Sequence, residues 1–163
     1  LATVREMKQT ITGRRDLAAM LVPLGRALMD AERPVLQAHD LTMWAYVVLD
    51  GLHVLHGTDE QPTRSQAALA DAIGGDKTRL IPVLDDLQQR GLIRRERDPA
   101  DRRVHLLSLT TSGRALHDTV QQQIQRNEAR LLGRLPAREQ QRFLDAVRVL
   151  ADRPERDLDT SAS

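Results

Sequence analysis

The sequence predicts a mainly helical α+β fold with one small β-hairpin, and three observations lead there. Apolar residues recur at three and four positions through most of the 163 residues, the period of helices with one buried face. With one Trp, one Tyr and one Phe, the core must be built from Leu, Val, Ile and Ala, which favours packed helices over a sandwich. The period turns extended only after Gly91, where two short runs flank a polar tip. The length suits one domain, 1–163.

Residues 1–15 are polar and without a period, and read as a loose arm. From Asp16, the positions Leu17, Met20, Leu21, Leu24 and Leu28 mark an amphipathic helix. Pro23 and Pro34 each remove an amide within it, so a kink or break near one of them is expected. Thr42 caps a second helix containing Trp44, Val47, Val48, Leu52 and Leu55, which ends at His56-Gly57. Residues 58–62 form a polar loop.

A third helix starts at Thr63, whose side chain and that of Gln66 stand at capping-box spacing before Ala67, Leu69, Ala70 and Ile73. Gly74-Gly75 supplies a tight turn, and Asp76 caps a fourth helix with Leu80, Leu84 and Leu87 on one face. Gly91 ends it. Two helices joined by a short glycine turn make a helix-turn-helix, whose second helix can enter a DNA major groove with its first residues, here Lys77, Thr78 and Arg79, at the base edges. Pro82 lies well inside that helix and costs about 3 kcal/mol if the helix is regular, so a late start or a bend is expected.

Residues 92–97 and 103–109 then form a hairpin around Asp98-Pro99-Ala100-Asp101-Arg102, with Asp98 and Pro99 at the first two positions of its turn. Arg94, Arg95, Arg97, Arg102 and Arg103 make this wing cationic, and narrow minor grooves attract arginine. Thr110 or Thr111 caps a long helix with Leu116, Val120, Ile124, Leu131, Leu132 and Leu135. After Pro136 comes a last helix with Phe143, Leu144, Val147 and Leu150, and 153–163 reads as a disordered tail.

In its middle third the chain resembles the MarR (multiple antibiotic resistance regulator) family of winged helix-turn-helix regulators. The resemblance is carried by Leu87-Gln88-Gln89-Arg90-Gly91-Leu92-Ile93-Arg94-Arg95, by the wing tip Asp98-Pro99-Ala100-Asp101-Arg102-Arg103, and by the run from Leu106 to Arg114. It implies that Asp101 braces Arg103 through a salt bridge while a tip arginine enters the minor groove. It also implies that helices within 16–40 and 111–152 dimerise the chain around a DNA-binding lobe at 41–110. Amphipathicity alone is equally compatible with a monomeric bundle. The candidate DNA contacts are Arg64, Ser65, Gln66, Lys77, Thr78, Arg79, Pro82, Arg95, Arg97, Asp101, Arg102 and Arg103. Arg64 and Ser65, at a helix start, suit phosphate and affinity; Arg79 suits base discrimination.

The resemblance further places a small effector between the dimer helices and the lobe. Met20, Leu24, Leu28, His39, Met43, Trp44, Val47 and Asp50 are the candidate lining, an apolar set with a few polar handles. Leu24, Leu28 and Val47 are as well explained as core. Trp44 and His39 suit stacking on, and hydrogen bonding to, an aromatic acid or phenol.

Charge and composition narrow the alternatives. The net charge is +1, and between Arg64 and Arg103 nine basic residues face seven acidic ones, so any DNA footprint is local rather than global. The absence of cysteine excludes disulfides and thiol redox sensing. No apolar run approaches membrane-spanning length and no signal-peptide pattern opens the chain, so a cytoplasmic, nucleoid-associated bacterial protein is expected. His39, His53, His56, His105 and His117 raise the question of a metal, and His53 and His56 lie three apart on one helix, but no nearby Cys and no His-Glu-x-x-His pattern completes a ligand set, so surface histidines and no metal or other cofactor are expected. Glycine-rich phosphate loops and nucleophile elbows are lacking, which argues against an enzyme. The expected function is a dimeric repressor, released from a pseudo-palindromic operator by an aromatic or phenolic ligand. A winged-helix module for an acidic protein partner and a metal-responsive regulator are the alternatives.

Overall fold

A computed structural model describes residues 15–54, 64–74 and 77–151, without the side chains of Val54, Arg64, Lys77 and Thr78. The arm before residue 15, the end of the second helix at His56-Gly57, the 58–62 loop, the Asp76 cap and the 153–163 tail lie outside them. Two compact units divide the chain after Ile124.

In the first unit, α1 (Leu17–Ala38) runs unbroken through Pro23 and Pro34, so neither proline ends it. Each forfeits one amide bond, and neither side chain enters the core. The helix closes on Asp40, at φ 53°, with Asp40 N–H donating to Gln37 O at 3.1 Å and Leu41 N–H to Leu36 O at 2.9 Å. This pairing is a Schellman end, and the accompanying apolar contact joins buried Leu36 to buried Leu41. Thr42 then caps α2 (Met43–Val54) as expected, its Oγ1 accepting the Ala45 N–H at 3.0 Å.

The next helix starts later than its sequence suggests. Residues Arg64–Ser65 form a short strand, β1, and Ser65 rather than Thr63 caps α3 (Gln66–Ala72), its Oγ accepting the Ala68 N–H at 3.1 Å. Pairing with Leu106 and Leu107 holds residues 64–65 extended, which forbids helix before Gln66. Gly74 takes φ 62° in the turn. Helix α4 (Lys77–Gln89) then runs unbroken through Pro82, so it does not start late; the proline is exposed and removes only the bond to the Thr78 carbonyl. Leu80, Leu84 and Leu87 are fully buried, each stabilising the lobe by about 1.5–3 kcal/mol. Gly91, at φ 67°, ends the helix in a second Schellman arrangement, with Leu92 N–H donating to Leu87 O at 2.9 Å.

The hairpin pairs β2 (Ile93–Arg97) with β3 (His105–Leu109), and β1 adds a third strand in the antiparallel order β1-β3-β2. Ile93, Leu107 and Leu109 join the leucines of α2, α3 and α4 in one core. Thr110, not Thr111, caps α5 (Thr111–Leu132), accepting the Gly113 N–H at 3.0 Å. The same hydroxyl lies 2.7 Å from Gly91 O and 3.1 Å from Leu92 O and donates to one of them, while Ser112 Oγ donates to Gly91 O at 3.2 Å. The end of α4 is thereby stitched to the start of α5.

In the second unit, Leu135 lies beyond the end of α5, and α6 (Ala137–Ala151) buries none of its residues. Leu144, Val147 and Leu150 repeat along one exposed stripe.

Candidate nucleic-acid interface

The DNA-facing candidates follow from these elements. Arg79 is exposed in the first turn of α4, with Ile81 and Pro82 exposed beside it; Lys77 and Thr78 open the helix, and their side chains lie outside the described residues, as does that of Arg64 in β1. Ser65 uses its hydroxyl as the α3 cap, and half-buried Gln66 is the first helical residue.

At the wing tip, Asp98 Oδ1 accepts the Ala100 N–H at 2.8 Å and Asp101 Oδ1 accepts the Arg103 N–H at 3.0 Å. Asp101 therefore braces the backbone of Arg103, not its guanidinium as the resemblance implied. An exposed salt bridge is screened by water and contributes little, whereas the two-residue Asx turn satisfies a backbone amide and leaves the Arg103 side chain exposed. Arg97, Arg102 and Arg103 are exposed, and among the described residues these three and Arg79 make no ion pair.

Arg95 is placed differently. Ile93 is buried, and strand alternation puts Arg95 on the same inward face, opposite Leu107. Its side chain, 20 % exposed, pairs with Asp85 of α4 at 2.8 Å, while Arg94 pairs with Glu96 at 3.6 Å. Arg95 thus ties wing to recognition helix. Arg90, singled out for no role by its sequence, donates to Asp40 O at 2.8 Å and His39 O at 3.2 Å and pairs with Asp86 at 3.3 Å. A cation at the carboxyl end of α1 suits that helix's dipole and anchors the far end of α4.

The effector candidates are only partly brought together. Leu24, Leu28, His39, Met43 and Val47 are half-buried, and Met20 and Trp44 are exposed, Trp44 at 36 %. His39 Nε2 lies 3.3 Å from Gln123 Oε1 of α5. Asp50 has another partner: its Oδ1 is 3.1 Å from Nε2 of His117.

His117 overturns the expectation of surface histidines. It is fully buried, with Asp118 Oδ1 3.2 Å from its Nδ1, the His53 ring stacked at 4.1 Å and the Tyr46 ring at 5.8 Å. Burial opposes its proton, but hydrogen bonds to Asp50 and Asp118 outweigh that and hold its pKa above the ordinary 6.5. For His53, burial and the charge of His117 push the pKa below 6.5, against the pull of Asp118 and Asp50. One sequence signal existed: His117 precedes Val120 by three and Ile124 by seven, on the buried stripe of α5.

A capped helix-turn-helix with an arginine on its second helix, braced against an arginine-tipped hairpin, defines a winged helix-turn-helix DNA-binding protein. A MarR family model matches residues 50–105, and the PcaV transcriptional regulator from Streptomyces coelicolor, solved with its natural ligand, is 30% identical over 86% of this chain and 98% of that chain, with TM-score 0.61. The chain belongs to the MarR family. It is also similar to CouR from Rhodococcus jostii RHA1 bound to p-coumaroyl-CoA, at 26% identity over 85% of this chain and 94% of that one, TM-score 0.68. CouR solved on a 23-mer DNA duplex gives 26% over 93% and 99%, TM-score 0.70. A Mycobacterium tuberculosis MarR family protein in complex with p-aminosalicylic acid gives 26% over 84% and 99%, TM-score 0.66.

Because the tip side chains are exposed, Arg102→Ala and Arg103→Ala should each weaken DNA binding and lower the salt slope by about 1. Their unfolding free energy should stay within about 0.5 kcal/mol of the parent. Unchanged affinity in both variants at moderate salt would remove the wing from the interface.

Proposed function

We propose that the chain is a dimeric transcriptional repressor that acts at the bacterial nucleoid, binds a pseudo-palindromic operator and is released by a small aromatic or phenolic ligand. The observation that carries this reading is the set of exposed arginines that make no ion pair among the described residues, Arg79 on α4 with Arg97, Arg102 and Arg103 on the wing, displayed by two elements that Arg95 and Asp85 lock together. On a duplex, α4 takes the major groove and the wing an adjacent minor groove. Dimerisation supplies the second half-site, and the exposed apolar residues of α1, among them Leu17, Leu21 and Val22, together with the Leu144–Val147–Leu150 stripe of α6, are the surfaces that a second copy covers.

The ligand-bound relatives, with p-coumaroyl-CoA and p-aminosalicylic acid, support an aromatic effector for this chain too. Met20, Leu24, Leu28, Met43, Trp44 and Val47 supply apolar lining, with His39 as the polar handle. Asp50, engaged by His117, contributes through that histidine. A ligand lowers operator affinity only by binding the non-DNA spacing of the two lobes more tightly, and couplings of about 1–3 kcal/mol are usual.

Trp44 is the sole tryptophan, so its fluorescence reports this region alone. An aromatic carboxylate such as p-aminosalicylate should quench it and weaken operator binding over one concentration range. Quenching without loss of DNA affinity would make the region a bystander, and a Trp44→Ala variant that still responds fully would place the effector elsewhere. If the chain instead served an acidic protein partner, duplex DNA would show no binding at low salt and no steep salt dependence.

A further inference from the structure

The cluster on α2 and α5 has the composition and spacing of a metal site. His53 Nδ1 is buried and, among the described residues, has no hydrogen-bond partner, an uncommon state for a ring nitrogen. It lies 3.7 Å from Asp118 Oδ1, which lies 3.2 Å from His117 Nδ1. One ligand atom from each of the three residues falls within 4.8 Å of the others. A tetrahedral zinc with donors at about 2.0–2.1 Å spaces them about 3.3 Å apart, so closing the site requires shifts of an ångström or so. The half-exposed side chains of His53 and Asp118 can make them; in-plane lone pairs of rings only 23° from parallel do not meet at one ion, so binding requires the His53 ring to turn out of its stack on His117.

We propose that His53, His117 and Asp118 bind one divalent cation of the zinc class, with Asp50 orienting His117 from the outer shell. Two imidazoles and a carboxylate are a donor set for zinc, cobalt or nickel rather than for magnesium or calcium. The ion takes the place of the proton on His117 Nδ1, which leaves as the Nδ1–metal bond forms. His117 Nε2–H continues to donate to Asp50, the carboxylate–histidine–metal arrangement that fixes tautomer and ring orientation. Access lies on the side of Asp118, whose side chain is 48 % exposed, where water can complete the coordination. Such an ion would join the carboxyl-terminal half of α2, at His53, to the first turns of α5, at His117 and Asp118.

The test uses the full chain, dialysed against a chelator and titrated with Zn²⁺ against a chromophoric competitor, and with Co²⁺ followed by its visible absorption. Saturable binding of one ion per chain is expected, and NMR of the imidazoles should show Zn²⁺ shifting His53 and His117 while His39 and His105 stay put. Asp50→Asn should weaken binding by about 10-fold or more, and His53→Gln and Asp118→Asn by at least as much. His53→Gln alters a half-exposed ring, so circular dichroism should report an unchanged fold for it; His39→Gln should bind as the parent does. No saturable binding, parent-like affinity in a folded His53→Gln, or shifts confined to His39 or His105 would each overturn the proposal.

Discussion

Gly113→Ala is expected to destabilise the protein by at least about 3 kcal/mol, at the upper end of single substitutions, or to prevent folding outright. Gly113 is the third residue of α5, and a Cβ there would stand 1.9 Å from the carbonyl oxygen of Leu92 and 2.9 Å from its carbonyl carbon. The obstacle is backbone, not a side chain that can swing away. That carbonyl also accepts the Thr110 N–H at 3.1 Å, so moving α5 off it breaks that bond and the stitching of the Thr110 and Ser112 hydroxyls to the end of α4 together. Gly25→Ala is the control: nothing lies within 4 Å of its added methyl, and relief of backbone entropy in mid-helix should stabilise by about 0.5–1 kcal/mol. Urea unfolding of both variants measures the difference. A Gly113→Ala protein within 1 kcal/mol of its parent would mean that the junction between α4 and α5 yields at about no cost, contrary to its geometry.

Arg79→Ala is expected to cost roughly 1–3 kcal/mol of binding on the preferred operator and to relax base preference at one position in each half-site. The side chain is exposed, near the start of the helix whose opposite face holds Leu80, Leu84 and Leu87 in the core, so its loss should leave unfolding unchanged. Binding measured against a panel of single-base operator variants separates two roles. A loss confined to one position marks base reading, whereas a uniform loss across the panel, with a shallower salt slope, would reassign Arg79 to a phosphate. Arg95 is the informative contrast. Its pairing with Asp85 predicts that Arg95→Ala would act by loosening the wing from α4, a change in affinity accompanied by a change in stability.

Much of the lobe was legible in the chain because its signals are local. Thr42, Gly74 and Gly91 act on amides and carbonyls within one turn of themselves, so their types and positions announce helix ends and turns whatever the rest does. Leu80, Leu84 and Leu87 announce a buried face by their spacing, and Asp98-Pro99 announces the hairpin tip. Where the local reading left Thr110 and Thr111 open, a hydroxyl within reach of Gly91 and Leu92 selected Thr110.

The remainder turned on partners far away in sequence. Ser65 displaced Thr63 as a cap because strand pairing with residues near 107 holds the chain extended there, an outcome that Thr63 and Gln66 by themselves do not register. Asp50, taken for a ligand handle, and His117, taken for a surface residue, are 67 positions apart and meet only when α5 packs on α2. Arg90 finds its acceptors 50 and 51 positions back, at carbonyls that only the closing of α1 exposes. The sequence by itself determined the helices, the ends set by Thr42 and Gly91, and the arginine-bearing hairpin, since hydrophobic period and capping act within a few residues. The tertiary structure decided which arginines stand exposed, which are tied to α1 and α4, and that His53 stacks on a buried His117, because burial and charge pairing depend on what the whole chain brings together.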